Sequence, residues 1–349
     1  MATLTEDPGT ASLFVFDPEG HLSPAAVTRR PGPPFTLWST IDEPKAGRWT
    51  ALVADGTHIV ACERIVVSRF SPKADEATEE PSPRPAWESH WKWERDTHNL
   101  YAAFVAELFN YPLNEEVSWT NLQTVLQDPA RNLLHNHLGL DEDTAITMGP
   151  DCADLPYFLR AYFAWKTTLP FGLRRCSRGR AGTPPACGDL ITNLSEVNAT
   201  DDVDAFQRFT RVIASGVHSA SARTVPDDSK TDVYPVAMTR EAILPGTVYA
   251  DPYGHLLVVA QWIPQGTKDY GVLVGVDAQP DGTIGRRRFW RGSFLFSPDT
   301  ADVGAGFKAW RPLTWDPETE TLVSLDNEAL QTTKEHARFS RAQYEGTKD

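Results

Sequence analysis

Between Leu155 and Phe163 the apolar residues Leu155, Phe158, Leu159, Tyr162 and Phe163 recur three and four positions apart. That is the spacing of one face of an α-helix. The pattern predicts a helix capped by Asp151, with Arg160 and Lys166 able to reach water and with Pro170 and Gly172 ending the segment. Residues 100–109 and Asp202–Gly216 carry the same period, and residues 121–140 hold a further helical stretch ending in LLHNHLGL. Elsewhere the signals are those of strands. SLFVF, FTLWST, RWTALVA and HIVACERIVVSRF, within residues 12–71, predict a small β module with Cys62 in its core. From Ile243 onward, ILPGTVYAD, PYGHLLVVAQWIP, GVLVGVDAQPDG and TIGRRRFWRGSF predict an antiparallel sheet, with residues 256–262 and 271–276 paired around a loop at 266–269.

Between the two strand-rich regions lies SPKADEATEEPSPR, charged and proline-rich with almost no apolar content, which predicts a solvated linker. The expected division is a β-rich module over 1–72, a linker over 73–86, a main domain over 87–325 and a polar tail over 326–349. The main domain holds a helical region at 95–140 and a core at 149–297. The fold class is α+β, a helix packed on an antiparallel sheet.

Composition narrows the partners. The chain of 349 residues has 33 basic and 47 acidic side chains, a net charge of -14, which argues against coating nucleic acid or an anionic membrane. No apolar run approaches the roughly 20 residues of a membrane span, and residues 1–10 lack the basic and apolar regions of a signal peptide, so a soluble chain is expected.

The four cysteines lack the paired spacing of a zinc site. Cys176 and Cys187 flank SRGRAGTPPA, a loop that a disulfide could close or that two free thiols could border. His135 and His137 point about 200° apart on a helix and do not share a metal; half-buried histidines near a helix C-terminus are the better reading. No cofactor is implied. Trp87, Trp91 and Trp93 form either a stacking surface or core filling. Arg174, Arg175, Arg178 and Arg180 form either a carboxylate clamp or a solvated face.

The candidate chemistry centres on Cys152, in the first turn of the 155–163 helix beside Asp154. A thiol over free helix N–H groups is favoured as thiolate. His255, next to Gly254, opens a strand, and a hairpin turning near residue 267 sets position 255 opposite roughly 279, within a residue or two of Asp277. Asp277 could then orient the imidazole, with Gln279 as the nearby alternative. Gln261, six residues along the strand, is about 20 Å away.

DCADL at 151–155, the LP pair Leu169 and Pro170, LPGTVY at 244–249 and GHLLVV at 254–259 resemble NlpC-type papain-like cysteine peptidases. The resemblance covers residues 151–279. It implies a papain-like fold, Cys152 as nucleophile, His255 as base, Asp277 as the orienting residue and bacterial cell-wall peptide as substrate. It also implies an extracytoplasmic or secreted protein. Asp154, Arg174, Arg175 and Gln279 are the expected substrate-binding residues. Ala153 and Asp154 stand where the family signature has Ser and Gly, and no Tyr-x-Trp-Gly-Gly-like segment precedes Cys152. Two other classes compete: a protein that keeps the fold and binds without catalysis, and an acyltransferase or deamidase using the same Cys-His pair.

Overall fold

The structure, a computed structural model, describes residues 1–68, 80–180, 183–252, 254–265, 271–289, 304–333 and 338–345. The hairpin loop expected at 266–269 lies outside the described residues, as does the first half of the expected linker, residues 73–79. The chain divides into two units, Met1–Ala74 and Asp75–Asp349.

The first unit is all strand: β1 (Ala2–Leu4), β2 (Ser12–Phe16), β3 (Thr28–Arg30), β4 (Phe35–Trp38), β5 (Gly47–Asp55) and β6 (His58–Val67). They form two antiparallel sheets, ordered β1-β4-β3 and β2-β5-β6, around a core of Ala11, Leu13, Leu37 and Val53. Cys62 is not in that core. It lies exposed on β6, an edge strand whose apolar residues Ile59, Val60, Ile65 and Val66 are exposed too. The apolar run fits a buried strand, but β6 is an edge strand paired with β5, and none of its residues belongs to the core of its unit.

The second unit opens with β7 (Ser82–Pro85), which pairs with β11 (Glu196–Ala199), so the end of the proline-rich segment is a strand and not linker. Then follow α1 (Arg95–Leu108), β8 (Ser118–Trp119), α2 (Leu122–Leu126), α3 (Glu142–Ala145) and α4 (Leu155–Lys166). After β9 (Gly172–Cys176), β10 (Cys187–Thr192) and β11 comes α5 (Asp202–Gly216), capped by the Asp201 carboxylate accepting from Asp204 N–H. The remaining strands are β12 (Val233–Pro235), β13 (Val248–Ala250), β14 (Leu256–Pro264), β15 (Gly271–Ala278), β16 (Ile284–Arg288), β17 (Gly306–Trp310), β18 (Leu313–Asp316) and β19 (Thr321–Ser324). The tail, expected to be merely polar, contributes α6 (Asn327–Thr332) and α7 (Ala342–Glu345), and it buries Leu330 and Gln343.

Seven strands form one antiparallel sheet, ordered β12-β17-β13-β14-β15-β16-β8. Alternation along the strands splits two cores. Val248, Leu256, Val258, Val276 and Ala278 join the helices, while Tyr249, Val259, Leu273 and Phe307 pack on the other side with Leu330 of α6. The mixed α+β class is as the periodicities predict.

Helix α4 departs from the amphipathic expectation. Every one of its residues is buried, Arg160 and Lys166 included, because β14 covers one flank and aromatic neighbours the others. Trp165 stacks on Phe206 of α5 at 4.1 Å, and Phe163 packs on Trp93 and Tyr101. The buried cations survive by pairing. Lys166 Nζ reaches Asp143 Oδ2 at 2.9 Å and also Glu142, while the Arg160 guanidinium lies over the Trp93 ring at 3.1 Å. Trp87 and Trp93 also belong to this core, their indole N–H groups donating to Leu169 O and Pro170 O, whereas Trp91 alone is exposed. No three-tryptophan stacking surface forms.

Candidate active site

Asp151 organises the turn that carries Cys152. Its carboxylate accepts from the N–H groups of Ala153 at 2.8 Å and Asp154 at 3.2 Å, and its carbonyl accepts from Leu155 N–H. The helix itself starts at Leu155 with Asp154 in the N-cap position, so Asp151 and Cys152 lie in the turn that leads into α4 and not at its cap and first turn as expected. Cys152 sits half-buried one residue later, as a free thiol.

His255 stands just before β14, beyond a turn closed by Asp251 N–H donating to His255 O at 2.8 Å. Gly254 makes that turn possible with φ at +114°, a backbone conformation costly for any other residue. From there the imidazole Nε2 meets Asp277 Oδ2 at 3.1 Å. The pairing of Val258 with Val276 across β14 and β15 sets this meeting, much as the expected hairpin register places it.

Asp277 is buried and held from three directions. Gln279 Nε2 donates to its Oδ2 at 3.1 Å, and Arg287 Nε donates to both oxygens at 3.2 and 3.3 Å. Gln279 thus positions Asp277. From the sequence Arg286–Arg288 are candidate partners of a substrate carboxylate; the contacts of Arg287 and Gly285 with Asp277 come from the structure, although the turn in QPDGT carries the signal. A hairpin centred there pairs Asp277 with Gly285, and Arg287 follows on the same face. The pairing needs glycine, because a Cβ at Gly285 would lie 3.0 Å from Asp277 Oδ1.

The thiol does not behave as the helix terminus alone suggests. Burial pushes the Cys152 pKa up, and the charges of Asp151, Asp154 and Asp277 add to it, outweighing the opposing pull of its own backbone N–H. Cys152 is therefore a neutral thiol in the resting protein. Alternation places Asp277 on the sheet face opposite Val276 and Ala278, which contact the helix layer. Among the described residues no hydrogen bond joins Cys152 Sγ to His255, yet the thiol lies within the field of Asp277.

Asp154 stands at the N-cap position of α4, but its side chain makes no capping hydrogen bond. It is buried, its Oδ1 has no hydrogen-bond partner, and burial with the nearby Asp151 charge raises its pKa to about 7. Arg174 is not a free clamp either. It is buried, 3.6 Å from Asp232 Oδ1, with Nη2 donating to Ser324. Arg175 is exposed on β9, and among the described residues no hydrogen bond or ion pair joins it to Cys152. Cys176 and Cys187 form a disulfide, which resolves the alternatives the spacing left open. His135 and His137 sit in turns after α2, not on a helix, and burial and Lys166 lower the His137 pKa, so positive charge is disfavoured there.

A groove of about 680 Å³ runs beside Asp277, lined by Gln279, Gly285, Arg287, Arg288, Glu115 and Ser118. Arg286 and Arg288 are largely engaged with carbonyls of residues 111–115, while half-exposed Arg287 spans Asp277 and the groove. No helix among the described residues is long and apolar enough to cross a membrane. No family model, curated protein or solved structure matches the chain.

Proposed function

We propose that the protein is a cysteine hydrolase acting on an amide, with Cys152 as nucleophile, His255 as general base and acid, and Asp277 as the residue that orients the imidazole. The observation that carries this reading is the His255–Asp277 hydrogen bond, with its carboxylate fixed by Gln279 and Arg287. With Nε2 held, Nδ1 is the ring nitrogen left to exchange a proton with the thiol. Cys152 Sγ attacks the carbonyl carbon as the imidazole takes its proton, and that proton passes to the departing amine. Water then attacks the thioester, returning the thiol and releasing the acid. Because the thiol rests neutral, deprotonation accompanies attack, and Cys152 must close on His255 when substrate binds.

The substrate is an acyl-peptide with a free carboxylate, laid in the groove where Arg287 offers a guanidinium. Bacterial cell-wall peptide is the class that the sequence resemblance implies. Incubating the protein with cell-wall peptides and following products by mass spectrometry tests this. Wild type should release amine, and Cys152→Ala and His255→Ala should each lose about 100-fold or more. Equal product from wild type and Cys152→Ala would sink the assignment.

A second reading has its own support: the raised Cys152 pKa and the missing thiol–imidazole bond favour a protein that keeps this arrangement only to bind peptides. It predicts peptide affinity that is indifferent to Cys152→Ala, with no product.

A further inference from the structure

The ladder between β13 and β14 ends where Ala250 pairs with Leu256. His255 is the first residue outside it, so its backbone is placed by the turn that Asp251 N–H and His255 O close. That turn lies against a short 3₁₀ turn at Ser219–Ala222. A Cβ at Gly254 would stand 3.5 Å from Ser219 Oγ and 4.0 Å from Arg223 Nη2.

Arg223 joins the two turns. Its Nη1 donates to Pro252 O at 3.1 Å, and its Nε donates back to Ser219 O at 3.3 Å. A planar guanidinium suits this task, because its donors engage two carbonyls in a fixed geometry that a point charge on a flexible stem does not hold. Burial lowers the Arg223 pKa and the Asp251 charge opposes that, so the residue that begins the turn also draws the guanidinium toward it. The base of this strut is fixed. Ala220, Ser221 and Ala222 are buried, and His218, which precedes them, is tied through both ring nitrogens. Its Nδ1 accepts from Ala220 N–H at 3.2 Å, which leaves the proton on Nε2, 2.8 Å from Cys176 O. Cys176 is in turn cross-linked to Cys187.

We propose that Arg223 is a positioning residue for His255: by fixing the 251–255 turn on the 219–222 turn, it keeps the imidazole Nε2 on Asp277 and leaves Nδ1 toward the thiol. It acts through the backbone, since no hydrogen bond joins it to His255 or Asp277 among the described residues. The inference rests on the reading of His255 as the base.

The test uses the full chain and two readouts. Histidine nitrogen NMR spectra, assigned with His255→Gln and recorded where the ring is neutral, should show His255 of the wild type as the Nε2–H tautomer and that of Arg223→Met as a mixture. The maximal rate at which a peptidyl vinyl sulfone labels Cys152 should fall about 10-fold in Arg223→Met, with the half-saturating concentration within about 2-fold of wild type. Arg223→Lys keeps a donor but not the fork, and should fall between the two in both readouts. A role confined to stability would lower the unfolding midpoint and move neither. A wild-type tautomer ratio in Arg223→Met, or in Arg223→Lys where only that variant folds, would overturn the proposal. His255→Ala labelling as fast as wild type would instead remove His255 as the base, and the tautomer ratio would still decide whether Arg223 orients the ring.

Discussion

Replacing Gly285 with Ala tests the geometry around Asp277 without removing any charge or donor. The new methyl carbon would stand 3.0 Å from Asp277 Oδ1 and 3.4 Å from Arg287 Nη2, whereas ordinary contacts begin near 3.4 Å. The carboxylate must therefore yield by a few tenths of an ångström. Its bond to His255, 3.1 Å in the native protein, would lengthen or tilt by a similar amount. Misplacement of about 1 Å can cost about 100-fold in rate, so a shift of this size should cost roughly 3- to 10-fold. Overpacking of this kind destabilises by about 1–3 kcal/mol, which leaves the protein folded. The assay is the rate at which a peptidyl vinyl sulfone labels Cys152, followed by intact mass, since that addition also moves a proton through His255. Asp277→Ala sets the scale: losing a bond to a charged group is worth about 1.5–3 kcal/mol, or about 10- to 150-fold. A Gly285→Ala protein that labels as fast as wild type while Asp277→Ala is slow would refute the positioning argument. Equal rates in all three would remove Asp277 from the mechanism.

Three further outcomes follow from the charges. The Cys152 thiol should titrate above the ordinary cysteine value in an iodoacetamide rate–pH profile, and Asp154→Asn should move the profile down, because one opposing negative charge is gone; a profile below about 8.5 contradicts the electrostatics. Asp154 has a folded pKa raised from 3.8 to about 7, so the folded state holds a proton that the unfolded chain releases. Stability should therefore fall as pH rises from about 4 to 7, by up to about 4 kcal/mol at about 1.36 kcal/mol per unit. Denaturant midpoints of wild type and Asp154→Asn across that range check it, the variant showing the flatter profile. Lys166→Met leaves the buried carboxylates of Glu142 and Asp143 without their cation and should cost about 3–5 kcal/mol by urea unfolding. A loss below about 1 kcal/mol would mean that those acids are already neutral.

Much of this architecture is legible in short-range pattern. The period of the Asp202–Gly216 segment gave its helix with the same bounds, and the strands at 256–264 and 271–278 follow from runs bounded by Gly, Pro and Asp. Asp277 could be set near His255 because a hairpin's turn fixes its cross-strand partners. Local pattern is silent where burial depends on what arrives from elsewhere. Arg160 and Lys166 sit at positions that read as solvent-facing, yet Trp93, Tyr101, Glu142 and Asp143, distant in sequence, close over them. Cys62 shows the opposite: its strand has the composition of a core, yet it lies exposed at the edge of its sheet.

Cys152 shows the division most sharply. Its residue type and its place in the turn that Asp151 organises just before α4 are matters of local sequence, because such a turn is built from neighbouring residues. Its protonation is not. The partial charge of the helix end acts over one turn, whereas burial and the carboxylates of Asp154 and Asp277 act through space and reverse the sign. Local pattern marks which residues could do chemistry and which strand partners meet. Their exposure, the electrostatics around them and the fixing of Asp277 by Gln279 and Arg287 come from folding, because they depend on groups that are distant in sequence and meet within a few ångströms.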